Sequence, residues 1–220
     1  MASWMVHLRV ADKLLDKING LKETEFIVGN IAPDSGAPSA DWSTFTPNKT
    51  VSHFMCKCDN GKLKINSDEY KNRYLKSRHT IEEYSFHLGY FSHLLTDILW
   101  KNIIIKASVD KDHEAYSNDP NGTVWKWKKD WYDLDFLFIR ENPEFRAFKI
   151  FEQAKGFKND YLDIFSEDAF DNRREYITGF YRAKRENLDR EYPYLTKNQM
   201  DDFTDEAVNF ILKEFNNLDL

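Results

Sequence analysis

The sequence predicts an all-α fold with one small β-hairpin. Apolar residues recur at helical spacing through long segments near both ends of the chain, and a capping box opens a long apolar segment in the middle. The one clear hairpin signal is Asp59-Asn60-Gly61, which lies between two short alternating runs. We expect a single domain over residues 1–220, with its core in residues 1–140 and further helices in residues 141–220.

The first element is a helix over residues 3–18. Its apolar positions repeat every three to four residues, and Ser3 is suited to cap its N-terminus. His7 shares a stripe with Ala11 and Leu14, so we expect it to face the core. The next segment, "EFIVGNIAPDSG", is interpreted as a short apolar run that ends in a turn, because Pro and Asp both favour turns.

The middle of the chain contains the longest predicted helix. Residues 37–49 are interpreted as a loop, and a helix is expected over residues 67–77 after the hairpin. Thr80 and Glu83 form a capping box, which predicts a helix over residues 80–105. This helix is apolar on two opposite sides, which is typical of a central, buried helix.

The C-terminal half is also predicted to be helical. Residues 108–122 are interpreted as a polar loop. Helices are expected over residues 125–140, 143–157, 159–187 and 198–216.

The composition limits the classes of function. The chain of 220 residues has a formal net charge of −6, which argues against a protein that binds duplex nucleic acid. Two cysteines are too few for a disulfide framework, and neither a secretory signal nor a transmembrane segment is apparent. We therefore expect a soluble, cytoplasmic protein; the sequence does not indicate its oligomeric state.

The central helix carries the first chemical signal, the pair His93 and Asp97. At positions i and i+4 they are neighbours on one helix face, within an otherwise apolar stripe. A buried carboxylate needs a compensating partner. That partner is either a metal ion bound by both side chains or a hydrogen bond from His93 to Asp97.

Three further residues favour the metal. His7 faces inward from the first helix, Asp34 follows Pro33 in a constrained turn, and His53 precedes the hairpin. With the helix pair they make three imidazoles and two carboxylates, a ligand set suited to zinc and other first-row metals.

The same pieces, in the same order, are similar to the zinc-dependent phospholipase C and P1-type nuclease superfamily. They are "WMVHLRVA", "GNIAPDSG", "SHF" and "YFSHLLTD", and the resemblance spans about residues 1–105. It implies a multi-helix bundle whose metal-site core lies within residues 1–140. It also implies that His7, Asp34, His53, His93 and Asp97 are metal ligands, with Asp34 as the catalytic base or metal-bridging carboxylate.

The sequence departs from the pattern of that superfamily in two places. Ile103 stands where a further histidine follows the helix aspartate, and no H-x3-E motif occurs after that aspartate. Trp4 is not placed like the N-terminal tryptophan that binds metal in the secreted members. One or two zinc ions are therefore expected, with Asp112, His113, Asp130 and Asp133 as conceivable substitute ligands.

The resemblance implies a metal-dependent hydrolase that acts on a phosphate-ester small molecule or a phospholipid headgroup. Two alternatives stay open. An HD-like helical metallophosphohydrolase would also use helical His and Asp ligands, although its adjacent His-Asp dipeptide is absent. A non-catalytic helical protein with one structural metal, or none, is the other. A separate small zinc site at His53-x2-Cys56-x-Cys58 is a weaker possibility.

Overall fold

The computed structural model describes residues 1–59, 61–77 and 79–218. Helices dominate it, and the all-α prediction is confirmed. Asn60, the middle residue of the expected hairpin turn, lies outside the described residues. Within them the elements are α1 (Trp4–Leu15), α2 (Glu23–Ile31), β1 (Ala37–Pro38), β2 (Phe45–Thr46), α3 (Lys49–Ser52), β3 (Met55–Lys57), β4 (Leu63–Ile65), α4 (Ser67–Tyr74), α5 (Ile81–Trp100), α6 (Lys106–Lys111), α7 (His113–Asn118), α8 (Pro120–Glu141), α9 (Arg146–Gln153), α10 (Ala169–Arg182) and α11 (Lys197–Asn216).

Helix α1 begins where its capping residue predicts. The Ser3 side chain accepts a hydrogen bond from the Val6 N–H, which satisfies one of the free donors of the first turn. His7 is fully buried, as the stripe of apolar residues predicts. The Thr80–Glu83 capping box that opens α5 is also present.

The apolar part of the "EFIVGNIAPDSG" segment is helical, a structure that the sequence prediction left unassigned. Helix α2 covers its apolar part, and a short 3-10 helix, Ala32–Asp34, follows it. The apolar run has no polar face because six consecutive residues, 26–31, are all buried. Such a short, uniformly buried segment shows no periodicity from which a helix could be recognised.

Two glycines bring α2 and α5 into very close contact. A Cβ atom added at Gly89 would lie 2.1 Å from the Phe26 carbonyl oxygen, and one added at Gly29 would lie 2.1 Å from the Phe86 carbonyl oxygen. No side chain fits at those distances, so glycine at both positions allows the two backbones to touch. This contact fixes the position of Asn30 on α2 relative to His93 on α5.

The remaining differences from the sequence predictions involve polar segments. The expected loop over residues 37–49 contains the antiparallel pair β1–β2, in addition to the confirmed hairpin β3–β4. The expected loop over residues 108–122 is helical, because α6, α7 and the start of α8 occupy it. These helices are mostly exposed, so they lack the apolar stripe that reveals a helix in a sequence.

Residues 154–168 are irregular, whereas the sequence predicts that a helix begins near residue 159. The side chain of Asn159 explains the difference. It donates to the carbonyl oxygens of Leu162 and Phe165 at 2.6 and 2.9 Å, and it accepts from the Tyr161 and Leu162 N–H groups. These bonds replace helical ones, so α10 begins only at Ala169.

Among the described residues, no helix combines the length and the apolar character needed to cross a membrane. The division into a core at residues 1–140 and added helices at residues 141–220 stays a prediction.

Candidate metal centre

All five residues that the sequence singles out as ligands lie in one cluster. Among the described residues, two sets of three have potential ligand atoms that all lie within 4.8 Å of one another. One set is His7, His93 and Asp97, and the other is Asp34, His53 and His93. His93 belongs to both of these metal groups. Four of the five are buried, and the Asp34 side chain is 10% exposed. Helix α1, the 3-10 helix, the residue after α3, and α5 each contribute at least one of them.

Four atoms of the cluster lie close to one another. The two Nε2 atoms of His53 and His93 are 3.3 Å apart. Asp97 Oδ2 lies 3.6 Å from His53 Nε2 and 3.7 Å from His93 Nε2. Asp34 Oδ1 lies 3.6 Å from His53 Nε2. Tetrahedral zinc with bonds of about 2.0–2.1 Å holds its ligand atoms roughly 3.3–3.4 Å apart. We call these atoms the four-atom set. The distances among its His53, His93 and Asp97 atoms are close to those of one zinc coordination shell, whereas Asp34 and Asp97 fall in different groups of potential ligands.

The hydrogen bonds of His93 leave one ring nitrogen free for a metal. Its Nδ1 lies 2.7 Å from the Asn30 carbonyl oxygen, which can only accept, so Nδ1 carries the proton. Nε2 therefore points its lone pair into the four-atom set. The Asn30 side chain donates to Ser92 Oγ at 2.8 Å, which ties this residue to α5 a second time.

Several buried polar atoms at the cluster lack partners. Asp97 Oδ1 accepts from the Ala2 N–H at 2.8 Å, but Oδ2 has no hydrogen bond within the described part of the chain, and neither ring nitrogen of His7 has one. Each unpaired buried group costs about 1–3 kcal/mol. A cation bound by these nitrogen and oxygen atoms would remove that cost, so the donor set fits zinc.

His7 forms a second, incomplete ligand set with Asp97. Its Nε2 lies 3.4 Å from Asp97 Oδ1, and its ring stacks on that of His93 with 3.7 Å between centroids. Because the one free nitrogen of His93 points into the four-atom set, it cannot serve a second ion as well. The described residues thus offer two three-residue groups of potential ligands that share His93.

The cluster also has the protonation states that metal ligands need. Burial lowers the pKa of His93 to about 3 and lowers that of His53, so both imidazoles are neutral at pH 7. Burial alone would raise the pKa of Asp34, but the charges of Lys49 and the nearby histidines lower it to about 2. Neutral imidazoles and ionised carboxylates are the forms that bind metal.

The neighbours of Asp34 and His53 hold both side chains in place. The Trp4 indole Nε1 donates to Asp34 Oδ2 at 3.0 Å, which leaves Oδ1 for the cluster. His53 ends the short helix α3, and the Tyr90 hydroxyl donates to the carbonyl oxygen of Ser52 at this turn. Residues of α1 and α5 therefore orient ligands that lie in or next to short helices.

Asp34 connects the cluster to a cavity of about 340 Å³. It is the one member of the cluster that borders this cavity. The walls include Trp4, Phe45 and Tyr132, together with the cationic side chains of Lys49, Lys128 and Arg173. We call this cavity the cleft.

The substitute ligands proposed from the sequence do not reach the site. Arg190 binds Asp130 and Asp133, each at 2.8 Å. Asp112 accepts from Trp127 Nε1 at 3.3 Å, and His113 is exposed. None of these four belongs to a metal-binding group among the described residues.

A separate zinc site at the cysteines is not supported. Both Cys56 and Cys58 are free and partly exposed. His53 lies in the Asp34 group instead, and no potential metal group within the described segments includes a cysteine.

A buried carboxyl group on α8, Asp135, anchors the start of α1. Ser3 Oγ and the Tyr181 hydroxyl donate to its two oxygens at 2.9 and 2.8 Å, and the Tyr181 hydroxyl accepts from the Met5 N–H at 3.1 Å. Since α1 carries His7, this bonding connects α8 and α10 to the metal centre. Burial raises the pKa of Asp135 to about 7.

Replacing Asp135 by asparagine is expected to change how stability depends on pH. A raised pKa means that the folded chain holds a proton that the unfolded chain releases, so the stability from this proton is lost as pH rises from about 4 to 7. The unfolding free energy of the parent, minus that of D135N, should therefore fall across this range. Urea titrations of the metal-free proteins at pH 5, 6, 7 and 8 measure it. A constant difference would show that Asp135 is ionised throughout.

Sequence reasoning did not identify several residues of the site. Asn30 orients His93 through its backbone carbonyl, an interaction that leaves no mark in a sequence. Lys49 and Arg173 border the cleft without belonging to any motif. Lys128 lies in the basic and aromatic run "KWKKDW", a pattern that by itself predicts only a helix surface.

The chain was compared with protein families, curated proteins and solved structures. A family model described as "Zinc dependent phospholipase C" matches residues 6–125, more than half of the chain, and this range contains all five clustered residues. No curated protein and no solved structure matches the chain. The match supports a metal-dependent function of the phosphoesterase type, with zinc as the metal. The chain belongs to the zinc-dependent phospholipase C family.

Proposed function

We propose that the chain is a zinc-dependent hydrolase of phosphate esters, whose substrate is a phospholipid headgroup or a small phosphate ester. The observation that carries the proposal is the position of Asp34. Its Oδ1 belongs to the four-atom set, and its side chain borders the cleft. A substrate in the cleft would therefore meet the ligand cluster at this one residue.

His53, His93, Asp97 and Asp34 would hold one zinc ion, and His7 with Asp97 could contribute to a second. When bound, zinc acidifies water and neutralises charge on a phosphoryl group. Helix packing around the three buried ligands excludes bulk water from the far side of the cluster. Among the described residues, Asp34 is the cluster member that borders the cleft, so access from the cleft would run past it.

Asp34 acts on the attacking water in this proposal. Its low pKa keeps it ionised at neutral pH, so Oδ1 accepts a hydrogen bond from the water and aligns it toward phosphorus. A carboxylate with such a low pKa is a weak base, so orientation is the larger part of its role. The bond from Trp4 to Oδ2 prevents the carboxylate from rotating away.

A structural zinc site in a non-catalytic protein is the second candidate. One consideration favours it: if all four residues bound one zinc ion, no position would be left open, whereas catalytic zinc sites usually keep one position open. Against it, the ligand at the cleft is a partly exposed carboxylate beside three cations. An HD-like enzyme is not favoured by any observation.

Replacing Asp34 by asparagine separates the two candidates. Hydrolysis of bis(4-nitrophenyl) phosphate by the zinc-loaded protein should fall by about 100-fold or more, since an orienting or proton-accepting group contributes about that factor. The fold and at least one bound zinc should persist, because three buried ligands are unchanged. Asp68→Asn, at an exposed position on α4, is the matched control and should leave the rate unchanged.

The outcomes are distinct. If the parent protein binds zinc tightly but hydrolyses neither phosphodiesters nor phosphomonoesters, the structural alternative is correct. If D34N hydrolyses the diester as fast as the parent, Asp34 has no catalytic role.

A further inference from the structure

The cleft has a charge opposite to that of the chain as a whole. The net charge of the protein is −6, yet Lys49, Lys128 and Arg173 border the cleft, and Asp34 is the one carboxylate among the described residues that line it. Three cations around one acid, in an acidic protein, form an anion-binding surface.

Lys128 has no carboxylate partner within 4.0 Å in the described part of the chain. Its Nζ lies over the Trp125 ring, 4.7 Å from the centroid. Partial burial, together with the charge of Lys49, lowers the pKa of Lys128. Without a carboxylate partner among the described residues, and partly removed from water, the Lys128 ammonium group has a poorly compensated positive charge. A bound anion would compensate it.

Arg173 is buried and is likewise without a carboxylate partner among the described residues. Its guanidinium donates to the Gly36 carbonyl oxygen at 2.7 Å, which fixes its position beside the cleft. It also lies 5.6–6.0 Å from the ring centroids of Trp4, Phe45 and Tyr176. Arg173 therefore already makes cation–π contacts with Trp4 and Phe45, two aromatic walls of the cleft that an ammonium group would otherwise use.

An anionic substrate would balance the positive charge of the cleft. One zinc ion is balanced by Asp34 and Asp97, so the three cations of the cleft remain. A phosphodiester brings one negative charge. A substrate that balances the cleft more fully carries at least one additional anionic group.

We propose that the cleft selects phosphate esters whose headgroup bears a further negative charge, and that it disfavours headgroups with an ammonium charge. This inference rests on the proposed function. Lys128 and Arg173 are the specificity-determining residues. Lys49, whose Nζ lies 3.9 Å from Asp34 Oδ1, places the phosphate beside the metal ligands.

Binding of two small probes tests this inference independently of turnover. Phosphoglycolate and phosphoethanolamine have nearly the same length, but the first ends in a carboxylate and the second in an ammonium group. Calorimetric titration of the zinc-loaded protein should show that phosphoglycolate binds about tenfold more tightly, as expected for one charge-assisted contact. In K128Q the preference should fall to about threefold or less. Lys129→Gln, an exposed neighbour on α8, is the matched control and should keep the full preference.

Each other outcome overturns the inference. Equal affinities, tighter binding of phosphoethanolamine, or no binding of either probe would contradict anion selection in the parent protein. A preference that survives in K128Q as fully as in K129Q would remove Lys128 from the specificity. A different result would contradict the proposed function alone. If the protein prefers phosphoglycolate but hydrolyses no phosphate ester, the anion selectivity is supported and the proposed hydrolase activity is not.

Discussion

Replacing His93 by alanine is expected to remove the bound zinc and to reduce phosphate-ester hydrolysis by more than about 100-fold. His93 belongs to both potential metal groups, and its Nε2 lies 3.3 Å from His53 Nε2 and 3.7 Å from Asp97 Oδ2. Removing a residue that hydrogen-bonds to a metal ligand already lowers metal affinity or activity roughly 10–100-fold. Removing a ligand itself should therefore lower both by more. Zinc per chain, measured by mass spectrometry after gel filtration, and the hydrolysis rate check this prediction.

His87→Gln is the control for this experiment. His87 is a second buried histidine on α5, but its Nδ1 pairs with the Tyr70 hydroxyl at 2.8 Å, and it belongs to neither metal group. This variant should keep its zinc even where it loses some stability. If H93A retains as much zinc as H87Q, the four-atom set is not the binding site.

Replacing Gly89 by alanine is expected to destabilise the fold by about 3 kcal/mol or more. The added Cβ would lie 2.1 Å from the Phe26 carbonyl oxygen and 2.9 Å from the Asn30 nitrogen, both of which are backbone atoms of α2. Because neither can move alone, the two helices must separate, and overpacking of this kind costs about 1–3 kcal/mol, occasionally more. Urea unfolding, monitored by circular dichroism, measures the loss.

Gly179→Ala tests whether the effect comes from helix contact. Gly179 lies within α10, is exposed, and would place its Cβ with no neighbouring atom within 4 Å. Alanine there should stabilise the protein by about 0.5–1 kcal/mol, because alanine has the higher helix propensity. If G89A were as stable as G179A, the close approach of α2 and α5 would not be as the structure shows it.

The parts of the site that the sequence predicts are those built on regular helices. His93 and Asp97 are four residues apart in a helix with a recognisable capping box, so their common face follows from helix geometry. His7 follows from the stripe that begins after its Ser3 cap. For Asp34 and His53 the sequence provides only motif order, since both lie in short elements with no periodicity. Their place beside His93 depends on the contact between α2 and α5.

The cleft is less predictable because its cations come from distant parts of the chain. Lys49 follows the β1–β2 pair, and Arg173 lies on α10, more than 120 residues away in sequence. Lys128 shares a helical stripe with Trp131 and Asp135, both buried, so its inward position could have been inferred from spacing. For Arg173 no sequence signal exists, because only the packing of α10 beside Trp4 brings it to the cleft.

We propose that the four-atom set binds zinc next to the cleft. Diffraction from crystals grown with zinc, recorded on both sides of the zinc absorption edge, tests it most directly. We predict an anomalous peak bonded to His53 Nε2, His93 Nε2, Asp97 Oδ2 and Asp34 Oδ1, at about 2.0–2.2 Å from each. Zinc bound elsewhere, with these four atoms paired only to one another, would contradict the claim.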